Sequence, residues 1–134
     1  MAYPLFCGLA SGEQAAKVLN RLEKDFLKEG GLITTLEQTG QQWDAPNGWA
    51  PLQWIGYKAA IRYDRATLGD HIAKSWIANV EAVFKRTGKL MEKYNVIDLS
   101  VLAKGGEYKN QDGFGWTNGV YVKLKTMIGE PVKN

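Results

Sequence analysis

The residue types that could do chemistry in this sequence fall in two stretches. The first, QQWDAPNGWAPLQW at residues 41–54, brings Trp43, Asp44, Trp49 and Trp54 close together. A tryptophan in a loop either plugs the core or walls a ligand. As a wall, its electron-rich face suits the C–H faces of a sugar ring. Asp44 could accept sugar hydroxyls, or it could hold the loop through an Asx turn. The second stretch runs through MEKYNV and on to GGEYKNQDGFGWTNGV. Glu92 stands among Leu90, Met91, Tyr94 and Val96. A carboxylate among such neighbours is partly stripped of water, a setting suited to proton transfer. The plainer alternative is a solvated ion pair with Lys89 or Lys93. Glu107 follows Gly105 and Gly106, where glycine permits unusual dihedrals or close backbone approach. Gln111, Asp112, Phe114, Trp116 and Asn118 add polar groups and aromatic faces. The mixture fits a neutral, hydroxyl-rich ligand.

Other chemistries find little support. His71 is the only histidine and has no ligand set around it for zinc. No metal site and no cofactor are expected. Cys7 has no base nearby and reads as a small buried hydrophobe. Gly113-Phe114-Gly115 lacks the strand before it and the Gly-Lys ending of a phosphate loop. Aspartates at calcium-loop spacing are absent. The lysines are scattered, and the net charge of +3 from 17 basic and 14 acidic residues is mild. Nucleic acid is therefore not an expected partner. No apolar run is long enough for a transmembrane helix, so no membrane partner is expected.

Four helical segments must position these residues. The first opens at Ser11, where Ser11 and Gln14 make a capping-box pattern. Ala15, Val18, Leu19, Leu22 and Phe26 follow on one face, and Gly30 and Gly31 stop it. The second spans about Pro51 to Tyr63, with Leu52, Ile55, Ala59 and Tyr63 inward. The third starts near Thr67 and carries Leu68, Ile72, Trp76, Val80, Val83 and Phe84 up to Gly88. The fourth spans about Gly119 to Ile128, with Val120, Leu124, Met127 and Ile128 inward. Residues 31–50 and 88–118 are long loops, the latter with a helical turn expected at 89–95. Loops of this length in a compact domain are usually functional. If successive helices pack antiparallel, both long loops reach the same end, opposite the tight turn at 64–66.

The 134 residues are enough for one domain. Within them, 5 Trp and 15 Gly against one His are unusual. Four of the five Trp (43, 49, 54 and 116) belong to the two loops or their edges. The composition thus points to carboxylates in an aromatic site. The single cysteine precludes an internal disulfide and fits a reducing, cytoplasmic compartment.

QQWDAPNGWAPLQW closely resembles a signature of the α,α-trehalases, a family of inverting glycoside hydrolases. GGEYKNQDGFGWTNGV resembles the family's glycine-rich segment, and KLMEKYNV the segment between them. The opening YPLFCGLAS and the helix after it are similar too, so the resemblance covers nearly the whole chain. It implies an all-α fold, a partial (α/α)6 toroid of about four main helices, with residues 1–134 as the C-terminal part of the catalytic domain. It also implies hydrolysis of trehalose to two glucose molecules with inversion and no metal. Inversion uses two carboxyl groups about 6.5–9.5 Å apart, one protonating the leaving oxygen and one activating water. By motif, Glu92 matches the general base and Glu107 a sugar-binding carboxylate. Trp43 and Asp44 match the pocket signature, with Trp49, Phe114 and Trp116 as further substrate-binding faces.

The chain departs from the family pattern in two places. Ala103 and Lys104 stand where the glycine run is longer, and Lys109 and Asn110 replace proline and leucine. The segment bearing the general-acid aspartate has no match here. The chain is therefore expected to be catalytically complete only with an upstream part. Without that part, Trp76 and the apolar stripes would be bare, inviting self-association. Trehalose or glucose is the expected ligand. The alternative is a sugar-binding or self-associating remnant without catalysis.

Overall fold

The computed structural model describes residues 2–129. After a short helix α1 (Tyr3–Phe6), helix α2 (Gly12–Arg21) begins on the expected capping box. Ser11 Oγ accepts from the Gln14 N–H at 3.3 Å, and Gln14 Oε1 accepts from the Ser11 N–H at 2.8 Å. The predicted helix does not continue to Gly30. It loosens into a π-helical turn (Leu22–Phe26), where the Leu27 N–H reaches the Leu22 carbonyl. The chain then forms a hairpin of β1 (Leu27–Lys28) and β2 (Gly31–Leu32). Tertiary contact explains the early end. The Gly30 N–H donates to the Val96 carbonyl at 2.9 Å, and a Cβ at Gly30 would meet Val96 Cα at 2.9 Å. Gly30 is thus committed to a turn buried against Val96, and Gly31 to strand β2 beside Gln53 and Trp76.

Helices α3 (Ala50–Arg62) and α4 (Ala66–Thr87) pack together across the tight turn. Their approach depends on small residues. A Cβ on Gly69 would meet Ile61 Cδ1 at 2.9 Å, and one on Gly56 would run into Leu32. Of the predicted inward face of α3, Ala59 is buried as expected, but the centre of the buried side is shifted. Ala50, Gln53, Gly56, Tyr57, Ala59 and Ala60 are buried, while Leu52, Ile55 and Tyr63 are only half-buried. The buried Gln53 amide pairs with strand β2 from within the helix. It accepts from the Leu32 N–H at 2.7 Å and donates to the Leu32 carbonyl at 2.8 Å. On α4 the predicted stripe is buried except for Phe84. Gly88 closes the helix in the left-handed conformation at φ 68°.

Helix α5 (Gly115–Met127) begins earlier than predicted, on Phe114, and packs on α3 and α4. Leu124 is buried, whereas Met127 is exposed, and Lys125 takes an inward place instead. Its ammonium donates to Glu81 Oε1 at 2.7 Å. That ion pair ties α5 to α4 where an apolar contact was predicted.

The two long loops meet, as their lengths predicted, and they do so through strands. β3 (Asn47–Trp49) pairs antiparallel with β4 (Lys93–Asn95), in the register Asn47↔Asn95, Gly48↔Tyr94 and Trp49↔Lys93. The helical turn expected at 89–95 is therefore corrected to a strand. The backbone of Lys93–Asn95 is committed to β3, and the Asn110 side chain bonds both the N–H and the carbonyl of Lys93, so the segment stays extended. This ribbon also corrects the expected exposure of Trp76. Its ring is fully buried, with the Tyr94 ring edge-on at 5.0 Å. Among the described residues no helix is long and apolar enough to cross a membrane.

Candidate active site

Trp49 ends β3 and precedes the first turn of α3, so its backbone is held twice. Its indole N–H donates to the Gln42 carbonyl at 3.0 Å. Trp43 stacks on it with ring centroids 3.8 Å apart and planes 4° from parallel. Trp116, in the first turn of α5, stands edge-on to Trp49 at 5.5 Å and to Trp43 at 6.5 Å. Phe114 lies 5.0 Å from Trp116. Four of the predicted aromatic residues thus form one cluster drawn from both loops. Trp49 is sealed inside, while Trp43 is 43% exposed and presents a face to solvent. Trp54 lies apart from this cluster, against Tyr57.

Glu92 is placed at the base of the cluster by irregular backbone just before β4. Its N–H donates to the Gln111 carbonyl at 2.8 Å, and its carbonyl accepts from the Trp116 indole at 3.2 Å. The side chain is buried, with the residue only 2% exposed. Oε1 accepts from the Tyr108 hydroxyl at 2.9 Å, and Oε2 lies 3.4 Å from Lys93 Nζ. The pairing with Lys93 is thus realised, but in the interior. Lys89 instead pairs with Asp112. The hydrogen bond to Glu92, then burial, pushes the Tyr108 phenol above its ordinary range.

Asp44 takes the loop-holding role. Its Oδ2 accepts from the Thr39 N–H at 2.6 Å, from the Thr39 hydroxyl and from the Gln41 N–H at 3.3 Å. The Thr39 hydroxyl contributes most to holding this carboxyl below the usual carboxylate range. Glu107 is exposed in an open cleft of about 510 Å³, lined among others by Met91, Leu102, Tyr108 and Asn110. The glycines before it do adopt positive φ, 97° at Gly105 and 84° at Gly106. Their close backbone approach is to the other loop: the Gly106 N–H donates to the Gly40 carbonyl at 3.1 Å. Asn47 Nδ2 completes the clasp by donating to the Lys104 carbonyl at 2.7 Å.

Tyr108 and Gln42 carry no role in the sequence reading of the site, and Lys93 enters it only as a solvated partner of Glu92. Tyr108 had a signal, since it adjoins Glu107 in the same motif. Nothing in the sequence signals that Lys93 is buried, because a lysine ordinarily faces water. Cys7 is exposed rather than buried, because the short α1 buries only Leu5. His71 is exposed on α4. Among the described residues no three His, Cys, Asp or Glu side chains gather to hold a metal.

The antiparallel α3–α4 pair with α5 packed on both, and long connections knitted at one end around a buried carboxylate and stacked tryptophans, define an all-α segment of the α/α-toroid type. Residues 2–129 match the trehalase family. The chain belongs to that family. It is 46% identical over 127 residues to a periplasmic trehalase of Pseudomonas aeruginosa, covering 95% of this chain and 23% of that protein. It is 49% identical over 125 residues to a periplasmic trehalase of Xanthomonas axonopodis pv. citri, covering 93% of this chain and 22% of that one. The fold is similar to that of the neutral trehalase Nth1 from Saccharomyces cerevisiae, with a TM-score of 0.75 at 27% identity. That match covers 93% of this chain and 22% of the yeast chain. The chain therefore spans less than a quarter of the length of these relatives and corresponds to a partial barrel. The cytoplasmic expectation is corrected by the same comparisons, since the curated relatives are named periplasmic. A lone thiol has no intrachain partner in any compartment, so Cys7 carried no information on this point.

Proposed function

We propose that residues 1–134 are the C-terminal part of a trehalase-like catalytic domain and supply its general base, Glu92. In this reading α,α-trehalose is hydrolysed to two glucose molecules with inversion. Glu92 takes a proton from a water as the water oxygen bonds to the anomeric carbon. A carboxylic acid on the opposite side gives its proton to the leaving glycosidic oxygen. No match to that acid lies in this chain, so it comes from another part of the catalytic unit. The observation that carries the proposal is the Glu92 carboxylate, buried at the junction of both loops beside the tryptophan cluster. The Tyr108 hydroxyl marks a direction from which an O–H reaches Oε1. Trp43, with Trp49, Phe114 and Trp116 behind it, supplies a stacking face, and the exposed Glu107 supplies hydroxyl contacts.

In the complete catalytic unit carrying this segment, Glu92→Gln should lower glucose release by about 10²–10⁴-fold, the range for loss of a general base. Undiminished turnover removes Glu92 from that role. The isolated chain should release no meaningful glucose from trehalose, and robust turnover by it alone overturns the need for a separate acid.

Sugar binding without chemistry is the second reading, favoured by the exposed face of Trp43 beside a carboxylate whose two oxygens are already engaged. Saturation-transfer NMR of the isolated chain with trehalose tests it, with Trp43→Ala as the control. Signal that survives this substitution places the sugar elsewhere.

A further inference from the structure

Lys93 is the residue of the site whose burial is least expected. It belongs to β4, it is fully buried, and its ammonium makes no contact shorter than 3.4 Å to a carboxylate. It lies 3.4 Å from Glu92 Oε2 and 3.5 Å from Gln42 Oε1. It also sits 5.5 Å from the centre of the Trp49 ring and 5.2 Å from that of Tyr108. The cation is thus shared among a carboxylate, an amide oxygen and two aromatic faces.

Stability does not account for it. Taking an ammonium out of water is costly, and attraction to a carboxylate repays it only with close geometry. Replacing a buried ion pair by apolar residues of like volume is often neutral or favourable. Apolar residues in place of both Lys93 and Glu92 would leave no charge to bury, whereas Lys93→Met alone would strand the buried Glu92 carboxylate. What the lysine adds is a connection. Trp49 is the ring on which Trp43 stacks, and Tyr108 is the residue that binds the other oxygen of Glu92. One ammonium therefore touches the support of the stacking face, the carboxylate and the carboxylate's second partner.

Resting on the reading of Glu92 as general base, we infer that Lys93 is a positioning residue for the hydrolysis: its ammonium orients the Glu92 carboxylate through Oε2 and fixes it relative to the Trp49–Trp43 stack. A cation over an aromatic face gains attraction when desolvated, which holds the ring in place. The substrate ring stacked outside and the carboxylate inside then keep a constant separation, which a base acting on a bound water requires.

The first test uses the 134-residue chain itself. In Lys93→Met, the Glu92 side-chain carboxyl carbon and the Trp49 indole N–H should both move in NMR spectra, while amide signals of α3 and α4 stay in place. Lys93→Arg, which keeps a cation, should move them less. Unmoved Glu92 and Trp49 signals in Lys93→Met, or a change spread through both helices, overturn the inference. This readout needs no hydrolysis, so it is separable from the role of Glu92 itself. In the complete catalytic unit, Lys93→Met should lower kcat about 100-fold with KM little changed, the order of loss for a misplaced reacting group. Lys93→Arg should recover part of that loss. An unchanged kcat in Lys93→Met, beside a Glu92→Gln enzyme that has lost activity, overturns the positioning role and leaves the base assignment standing.

Discussion

The Tyr108 hydroxyl donates to Glu92 Oε1 at 2.9 Å, joining the glycine-rich loop to the residue that precedes β4. The contact depends on the clasp behind it. Gly105 and Gly106 turn in conformations closed to other residues and lie against Gly40–Gln42. Tyr108 then emerges with its ring near Lys93 and its hydroxyl on the carboxylate. The same turn leaves Glu107 pointing into the open cleft. Two adjacent residues of one motif thus serve different surfaces.

Tyr108→Phe isolates the hydroxyl, because the ring that faces Lys93 remains. Glu92 loses one hydrogen-bond donor, and its carboxylate gains freedom to rotate. In the complete catalytic unit kcat should fall by roughly tenfold, the order of one hydrogen bond to a charged group. Steady-state glucose release measures this, and an unchanged kcat shows that the hydroxyl does not hold the carboxylate for catalysis.

The clasp separates two kinds of glycine. In Gly105→Ala a residue with φ near 97° would also press its Cβ on the Gly40 carbonyl at 2.9 Å. Gly113 has φ near 72°, with open space where a Cβ would go. Gly113→Ala should therefore cost about 1 kcal/mol, and Gly105→Ala more, toward the upper end of about 1–3 kcal/mol. Urea unfolding of both variants compares them. Equal losses mean that the approach of the two loops carries no energy.

Gln53→Leu removes a buried amide that answers both backbone groups of Leu32. The N–H and the carbonyl are left without partners at about 1–3 kcal/mol each, so roughly 2–6 kcal/mol should be lost. The β1–β2 hairpin should lose hydrogen-exchange protection first. Full protection at Leu32 in the variant contradicts this.

Stability should be bounded on both sides of neutrality. Asp44, Glu81, Asp98 and Asp112 have carboxyls held low, chiefly by the Thr39 hydroxyl, the Lys125 ammonium, the Ser100 hydroxyl and the Lys89 ammonium respectively. Groups lowered on folding stabilise above their unfolded values and lose that contribution as pH falls through the folded ones. Stability should thus decline below about pH 4, near ordinary carboxyl values. Tyrosines are shifted the other way: burial raises Tyr57, Tyr121 and Tyr94, the last to about 12, and the Glu92 bond raises Tyr108. Groups raised on folding stabilise below their unfolded values, so stability should fall again above about pH 10. Urea midpoints across the pH range check both limbs; a midpoint constant from neutrality to strong alkali contradicts the second.

Much of the scaffold was legible because its signals are local. Ser11 and Gln14 form a cap within one turn, and Gly88 ends α4 because φ near 68° favours glycine. The apolar stripe from Leu68 to Val83 repeats at helical spacing and is buried as such. The loop lengths further indicated that residues 31–50 and 88–118 meet. Less legible was which face of α3 is buried, since small residues there pack backbone to backbone and carry little hydrophobic signal. The burial of Lys125 and Lys93 is not legible either, because whether a charge is buried depends on partners remote in sequence.

By itself the sequence determined the main helices, the Ser11 cap, the Gly88 stop and the resemblance to the trehalases. These follow from spacing within a few residues and from long motifs. Tertiary structure alone decided the β3–β4 pairing, the burial of Trp76 beneath Tyr94, and the hydrogen bonds by which Asp44 Oδ2 holds its loop. It also decided that Glu92 meets Tyr108 and Lys93. The physical reason is shared. Backbone groups and charges taken from water must find partners, and which partners come within reach is settled only when distant segments pack.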